Sequence, residues 1–298
     1  MAARLWVFLL AADALLAALC ALLLGGMLRW RYCATLTLAA VIFLIAPWMI
    51  ASASVLLAAG SGGEASVTAR LRAAVTEPAH FALAVARMIL EPWRDSPDTS
   101  LPQAANPRPV LLLHGIVCNR GIWRGWLREL RSAGFAPVRA LNLEPLFADI
   151  DVYAARVARE LAALQKESRG ARVAVITHSM GGLVARAALS LAGPQTIRQI
   201  VTLACPHHGS RLARHYPSAP TRQMRQDSAW LSALNLAQEE RWPVPVTDIY
   251  SLEDNLVVPA RSAEVAGADC YVLRGCGHFG VLGSRAARQC VHAALAAA

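Results

Sequence analysis

The chain has 298 residues, 56% of them hydrophobic and only 16% charged, with a formal net charge of +9. Soluble domains carry about 25% charged residues, so the chain as a whole is not one soluble unit, and its apolar excess lies near the N-terminus. The basic balance does not indicate nucleic acid: Lys166 is the only lysine, arginine and alanine are abundant throughout, and no basic run is interleaved with aromatics.

Residues 5–28 are apolar with one charge, Asp13, and residues 34–59 form a second apolar run containing Pro47. A helix needs about 20 apolar residues to cross a bilayer, and both runs suffice. The link between them, Arg29-Trp30-Arg31-Tyr32, has the arginines and aromatics that favour a membrane interface. Residues 1–63 are therefore expected to form a transmembrane hairpin. A cleaved signal peptide would be shorter, and no second apolar run would follow it. Asp13 is close enough to the helix start to reach the interface. Arginines on both sides of the spans leave the orientation open.

Residues 60–63 are glycine-rich, and residues 64–108 form an accessory segment. Within it residues 78–90 read as a helix with Pro78 in the first turn. Phe81, Val85, Met88 and Ile89 share one face, which suits either a membrane surface or packing on the following domain. A linker rich in proline, serine and asparagine covers residues 95–109.

From residue 109 to 298, strand and helix patterns alternate. Strands are expected at 110–113, 137–141, 172–177, 198–203, 246–251 and 270–273, and helices at 121–131, 152–166, 180–191 and 284–296. Short apolar strands alternating with helices predict an α/β fold, with a mostly parallel sheet covered on both faces. Ligands in such folds sit beyond the carboxyl ends of the strands.

The sharpest local signal is Val173-Ala174-Val175-Ile176-Thr177-His178-Ser179-Met180-Gly181-Gly182. A strand runs into a serine, then glycines, then a helix. That is the form of a nucleophile elbow, in which a tight turn lifts a serine hydroxyl above the sheet. Thr177 stands where the usual Gly-x-Ser-x-Gly pattern has its first glycine. The alternative is an ordinary serine N-cap.

A serine nucleophile needs a base, and the base needs an orienting carboxylate. In this fold class the chain order is serine, acid, histidine. Asp254 follows the strand at 246–251, with Glu253 as its neighbouring competitor. His278 follows the strand at 270–273, within Gly275-Cys276-Gly277-His278-Phe279-Gly280. The oxyanion donors are expected to be the N–H of Ile116, after His114-Gly115 at the end of the first strand, and the N–H of Met180. Removing one such donor costs about 3 kcal/mol of transition-state stabilisation. The His114 side chain is expected to be structural.

The motifs Leu-Leu-Leu-His-Gly, His-Ser-Met-Gly-Gly-Leu-Val-Ala-Arg, Thr-Leu-Ala-Cys-Pro-His-His-Gly-Ser, Glu-Asp-Asn-Leu-Val-Val-Pro and Gly-Cys-Gly-His-Phe-Gly occur in that order. Together they resemble the bacterial lipase and esterase branch of the α/β-hydrolase family, from about residue 109 to the C-terminus. The resemblance implies an acyl-enzyme mechanism on carboxylic esters, with Ser179, Asp254 and His278 as the triad and no cofactor. Thr177 is compatible with it, since some members carry alanine or threonine there. It also implies a cap over the site, here at about residues 206–243, where the strand pattern lapses. A plain helical connection is the alternative. With the apolar N-terminus, it implies a lipid-like ester substrate and a multi-pass protein of a bacterial inner membrane.

No metal is expected. His207 and His208 are adjacent and should diverge, and no acidic ligand follows His278. Seven cysteines match no zinc spacing and cannot all pair, although one bridge among Cys270, Cys276 and Cys290 stays open. Acyl transfer and thioester hydrolysis would use the same triad. A non-catalytic membrane protein of this fold would not need its three members.

Overall fold

The strands form where the sequence has short apolar runs buried on both sides. In chain order they are β1 (Val110–Leu113), β2 (Val138–Leu141), β3 (Val173–His178), β4 (Ile197–Leu203), β5 (Val246–Ser251) and β6 (Asp269–Leu273). All pairings are parallel, in the order β2-β1-β3-β4-β5-β6. The computed structural model describes residues 1–27, 39, 49–50, 52–57, 65–94, 106–238 and 242–297. The expected second span, 34–59, lies mostly outside the described residues, as does most of the 95–109 linker.

Side chains along each strand alternate between two cores. Val110, Leu112, Ala174, Ile176, Val201 and Leu203 face one way. Leu111, Leu113, Val173, Val175 and Ile200 face the other. The first core is covered by α2 (Val67–Arg94), α3 (Arg124–Ser132) and α9 (Arg285–Ala297). The second is covered by α4 (Ile150–Glu167) and α5 (Met180–Ala192). Burial of an aliphatic side chain stabilises by about 1.5–3 kcal/mol, so the central strands are fixed from both faces, while the edge strand β6 is exposed along residues 269–272 and buried only at Leu273. The sequence placed the strands and α3, α4, α5 and α9 within a residue or two, except that a 3-10 turn, Arg120–Trp123, precedes α3.

Residues 206–243 hold two short helices, α6 (Ala219–Gln223) and α7 (Ala229–Leu236). They dock at the start of α4. Gln223 accepts from the Ile150 N–H at 2.7 Å, and the Trp230 indole donates to Asp151 at 2.8 Å. The buried Arg186 guanidinium on α5 holds Gln238 and Asn235, each at 2.8 Å. The short helix α8 (Gly280–Gly283) follows the last strand.

The accessory helix is longer than its sequence suggested. It starts at Val67 and carries Pro78 and Pro92 inside it. A proline inside a helix removes the bond to the carbonyl four residues earlier. Here both freed carbonyls find other donors. The Ser52 hydroxyl donates to Ala74 O at 2.8 Å, and the Asn119 amide donates to Met88 O at 2.9 Å. The helix therefore continues through positions that read locally as a start and a stop. Val85 and Met88 are buried in the first core, with Phe81 and Ile89 packed against it.

The first helix, α1 (Ala2–Met27), is apolar all round. By length and composition, Ala2–Leu22 and Val67–Trp93 are each apolar enough to cross a membrane, but a buried helix passes the same test. The two differ in setting. The second is bonded to the α/β domain, through Glu77 among others. The first exposes Phe8, Leu15 and Leu16 at 67, 62 and 60%. Its first turns touch the domain: the Trp6 indole donates to Val117 O at 2.9 Å and packs edge-on against Phe81.

Asn119 thus serves two elements, since its Oδ1 also caps the 3-10 turn at the Gly121 N–H, 3.0 Å away. Replacing Asn119 with Ala leaves the buried Met88 carbonyl unpaired and removes that cap. We expect a loss of about 1–3 kcal/mol, read as a lowered unfolding midpoint in detergent solution.

Candidate active site

In the strand order, β1 lies between β2 and β3, so the crossovers leave the sheet in opposite directions at the β1/β3 boundary. Such a switch point opens a crevice at the carboxyl ends of its two strands. Ser179 follows β3 there, and Gly115-Ile116 follows β1.

Ser179 has φ 57° and ψ −131°, and its side chain caps nothing. An N-cap serine has extended backbone and accepts a bond from the first turn. Ser179 does neither, so the turn is a strained elbow. Three glycines make room for it. A Cβ on Gly115 would stand 2.8 Å from Ser179 Cβ, one on Gly181 would stand 2.5 Å from Leu113 O, and one on Gly182 would stand 2.4 Å from Cys205 Sγ. Thr177 fits in place of glycine because it is buried with its hydroxyl turned to Val201 O, 3.4 Å away on β4.

His278 and Asp254 form a buried pair. His278 Nδ1 donates to Asp254 Oδ2 at 2.8 Å, and both side chains are buried. Asp254 Oδ1 accepts from the N–H groups of Leu256 and Val257, each at 2.8 Å. Those two bonds orient the carboxylate before the histidine meets it. Glu253, the competing acid, faces elsewhere and accepts from Ser251 Oγ at 2.9 Å and the Gly275 N–H at 2.7 Å. Burial disfavours the His278 imidazolium, but the Asp254 carboxylate, with Glu77 behind it, outweighs burial and holds the ring above its ordinary pKa.

The two loops meet through the residue before the serine. His178 Nε2 donates to the His278 carbonyl at 3.2 Å, and the two rings lie 4.6 Å apart. Burial, and then His278, drive the His178 pKa well down, so this ring is a neutral, fixed donor. Among the described residues, the Ser179 hydroxyl has no hydrogen-bond partner within 3.5 Å. Catalytic bonds are often long before substrate binds.

The N–H groups of Ile116 and Met180 donate to no acceptor among the described residues. His114 sets the first of them. Its Nε2 accepts from the Leu143 N–H at 3.0 Å, so Nδ1 carries the proton and donates to Gly115 O at 2.8 Å. In a trans peptide the C=O and N–H point in opposite directions. Tying down the Gly115 carbonyl therefore turns the Ile116 N–H away from His114. Burial lowers the His114 pKa to about 4, so this tautomer is stable at neutral pH. Sequence reading assigned the ring no more than a structural role, and its task is more specific than that.

His207 and His208 diverge. The first is buried against Arg186 Nη1 at 3.2 Å, and the second faces Asn235 at 3.4 Å. Cys270, Cys276 and Cys290 are unbridged. A cavity of about 400 Å³ opens behind the oxyanion turn, lined by Arg4, Glu91, His114, Asn119, Asn142 and Glu144 among others, and neither Ser179 nor His278 lines it.

The residue that sequence reading missed is Glu77, on α2. Its carboxylate accepts from the Phe279 N–H at 2.7 Å and the Gly280 N–H at 2.8 Å. Read locally, it is an acid near a helix start, one residue before Pro78. Its partners lie 202 and 203 residues further on.

Comparison with known proteins agrees with this architecture. Residues 148–258 match the PGAP1-like alpha/beta domain. The mature form of a Bacillus licheniformis lipase superposes with TM-score 0.58 at 15% identity, covering 67% of this chain and 96% of that one. Aspergillus fumigatus lipase B superposes with TM-score 0.51 at 21% identity, covering 62% of this chain and 51% of that one, so the chain spans about half of that lipase's length. No curated protein sequence matches the chain. The chain has the α/β-hydrolase fold shared by these two lipases.

The glycine after the elbow provides a test of the packing. In Gly181→Ala the new methyl meets the Leu113 and His114 carbonyls at 2.5 and 2.8 Å, which are backbone atoms and cannot swing aside. We expect about 1–3 kcal/mol of destabilisation in the unfolding midpoint, with no comparable loss for alanine at Gly125 on α3, whose Cβ position has no atom nearer than 3.6 Å.

Proposed function

We propose that the chain is a membrane-tethered serine hydrolase that cleaves carboxylic esters of lipid-like character through an acyl-enzyme. The observation that carries this reading is the buried His278–Asp254 pair, joined through His178 to the strained Ser179 elbow at the switch point.

The chemistry follows from that set. Ser179 Oγ attacks the carbonyl carbon of the ester while His278 Nε2 takes its proton. Asp254 keeps Nδ1 protonated and stabilises the imidazolium. The Ile116 and Met180 N–H groups hold the oxyanion. His278 then gives its proton to the departing alkoxide, and the C–O bond to the alcohol breaks. Water attacks the acyl-enzyme, His278 takes its proton, and the acid leaves as Ser179 is reprotonated. No step needs a cofactor.

The exposed apolar length of α1 supports a membrane tether, and with it a substrate drawn from or near lipid. The Trp6 bond to Val117 O keeps the start of α1 against the α/β domain, so a membrane entered by α1 would lie close to that domain.

A fluorophosphonate probe on the detergent-solubilised chain tests the nucleophile. Wild type is expected to label and Ser179→Ala not to, and equal labelling of both would remove Ser179 from the role. Asp254→Asn should slow labelling by about 10³–10⁴-fold without unfolding the chain, because the histidine loses its tautomer. The base must be neutral, so labelling should fall with pH through a midpoint above 6.5, in the direction set by Asp254. A series of p-nitrophenyl esters should be cleaved with kcat/KM rising from acetyl to octanoyl, and an acetyl optimum would count against a lipid-like substrate.

A further inference from the structure

Three consecutive backbone N–H groups of the histidine loop are held by side chains from elsewhere. Asn255 Oδ1 takes the His278 N–H at 3.0 Å. Glu77 takes the next two, Phe279 through Oε1 and Gly280 through Oε2. The loop is cut to fit this carboxylate. A Cβ on Gly277 would stand 2.6 Å from Glu77 Cδ, and one on Gly280 would stand 3.1 Å from Glu77 Oε2. The same helix places Phe81 edge-on against Phe279, with ring centroids 5.3 Å apart.

We propose that Glu77 is a positioning residue for His278, and that its ionised carboxylate holds the histidine loop in its working geometry. The proposal rests on His278 being the base. A carboxylate that accepts from two N–H groups, one on each oxygen, accepts most strongly when charged. A proton on either oxygen weakens the bond that oxygen accepts and loosens the hold of Glu77 on the loop. Buried hydrogen bonds to charged groups are stronger than those to neutral ones, and two of them decide where a short loop sits.

The electrostatic surroundings make this bond sensitive near neutrality. Burial raises the Glu77 pKa to about 7 against the lowering effect of the Phe279 and Gly280 N–H groups and of His278, and Asp254 adds to the rise. Asp254 and Cys276 face it from the α/β domain, and His80 lies one turn along its own helix, with its ring 3.7 Å from the Gly280 Cβ position. His278 and Glu77 act in the same sense. As pH falls, His278 gains a proton and ceases to be a base, and Glu77 gains a proton and loosens its hold on the loop. The acid limb therefore reports two protons.

The experiment measures the second-order rate of fluorophosphonate labelling from pH 5 to 9 in wild type, Glu77→Gln and Phe81→Ala, each in detergent, with thermal unfolding as a control. Wild type should lose activity on the acid side with a slope steeper than one proton. Glu77→Gln should label about tenfold or more slowly at pH 8, the scale of a displaced catalytic group. Its acid limb should have a slope of one proton and a lower midpoint, because the carboxylate that favours the imidazolium is gone. Phe81→Ala, which removes packing and leaves the carboxylate, should keep the two-proton limb. A Glu77→Gln profile equal to wild type, or parallel to Phe81→Ala, would overturn the positioning role while leaving Ser179 as nucleophile. Failure of the base assignment appears separately, as labelling unaffected by Ser179→Ala or His278→Ala. If Glu77→Gln does not unfold cooperatively, the wild-type and Phe81→Ala limbs decide: one-proton slopes in both would refute the proposal.

Discussion

Ser179 holds a backbone conformation, φ 57° and ψ −131°, that costs a non-glycine residue about 1–3 kcal/mol, and the surrounding structure must keep it there. The strand before it is bonded on both edges, to β1 and β4. The helix after it is buried along ten consecutive residues, Met180 to Leu189. Ser179 N–H donates to Leu203 O at 2.9 Å, so the strained residue is itself tied into the sheet. The glycines at 115, 181 and 182 follow from the same constraint, because the elbow can be this tight only where neighbouring backbones touch it.

The remaining parts of the site are arranged by hydrogen bonds that leave little freedom. Leu143 fixes the tautomer of His114, which ties down the carbonyl of Gly115 in the turn after β1. Leu256 and Val257 fix Asp254, which fixes His278. His178 ties the elbow to the histidine loop. Apart from the two bonds inside the Asp254 loop, each bond joins groups on different elements, so the geometry of the crevice is a property of the whole sheet rather than of any one loop.

The sequence made the sheet legible because each strand is a short apolar run with a helix after it, and because parallel strands need no partner to be recognised. Ser179, Asp254 and His278 stood out as candidates for a related reason: each sits just beyond a strand end, in the order expected of the fold. What stayed hidden was non-local. Pro78 signals a helix start by every local rule, and only the Ser52 hydroxyl, bonded to Ala74 O from 22 residues earlier in the chain, explains why the helix runs through it. Glu77, beside that proline, drew no functional reading. Nothing near residue 77 announces the Phe279 and Gly280 amides. The glycines flanking His278 were noticed, but their reason, a carboxylate from the far end of the chain, could not be.

That carboxylate changes where the functional unit begins. Composition draws a border in the proline-rich stretch before Pro109, and a designer seeking a soluble fragment would cut there. Hydrogen bonding draws it elsewhere. A fragment starting at Pro109 would lack the acceptor for two amides beside His278, and the concavity formed by Gly277, Gly280 and Gly283 would be left without the Glu77 and His80 side chains that fill it. The helix that looks like a spacer is a structural part of the hydrolase, and the smallest self-sufficient version of this molecule includes it.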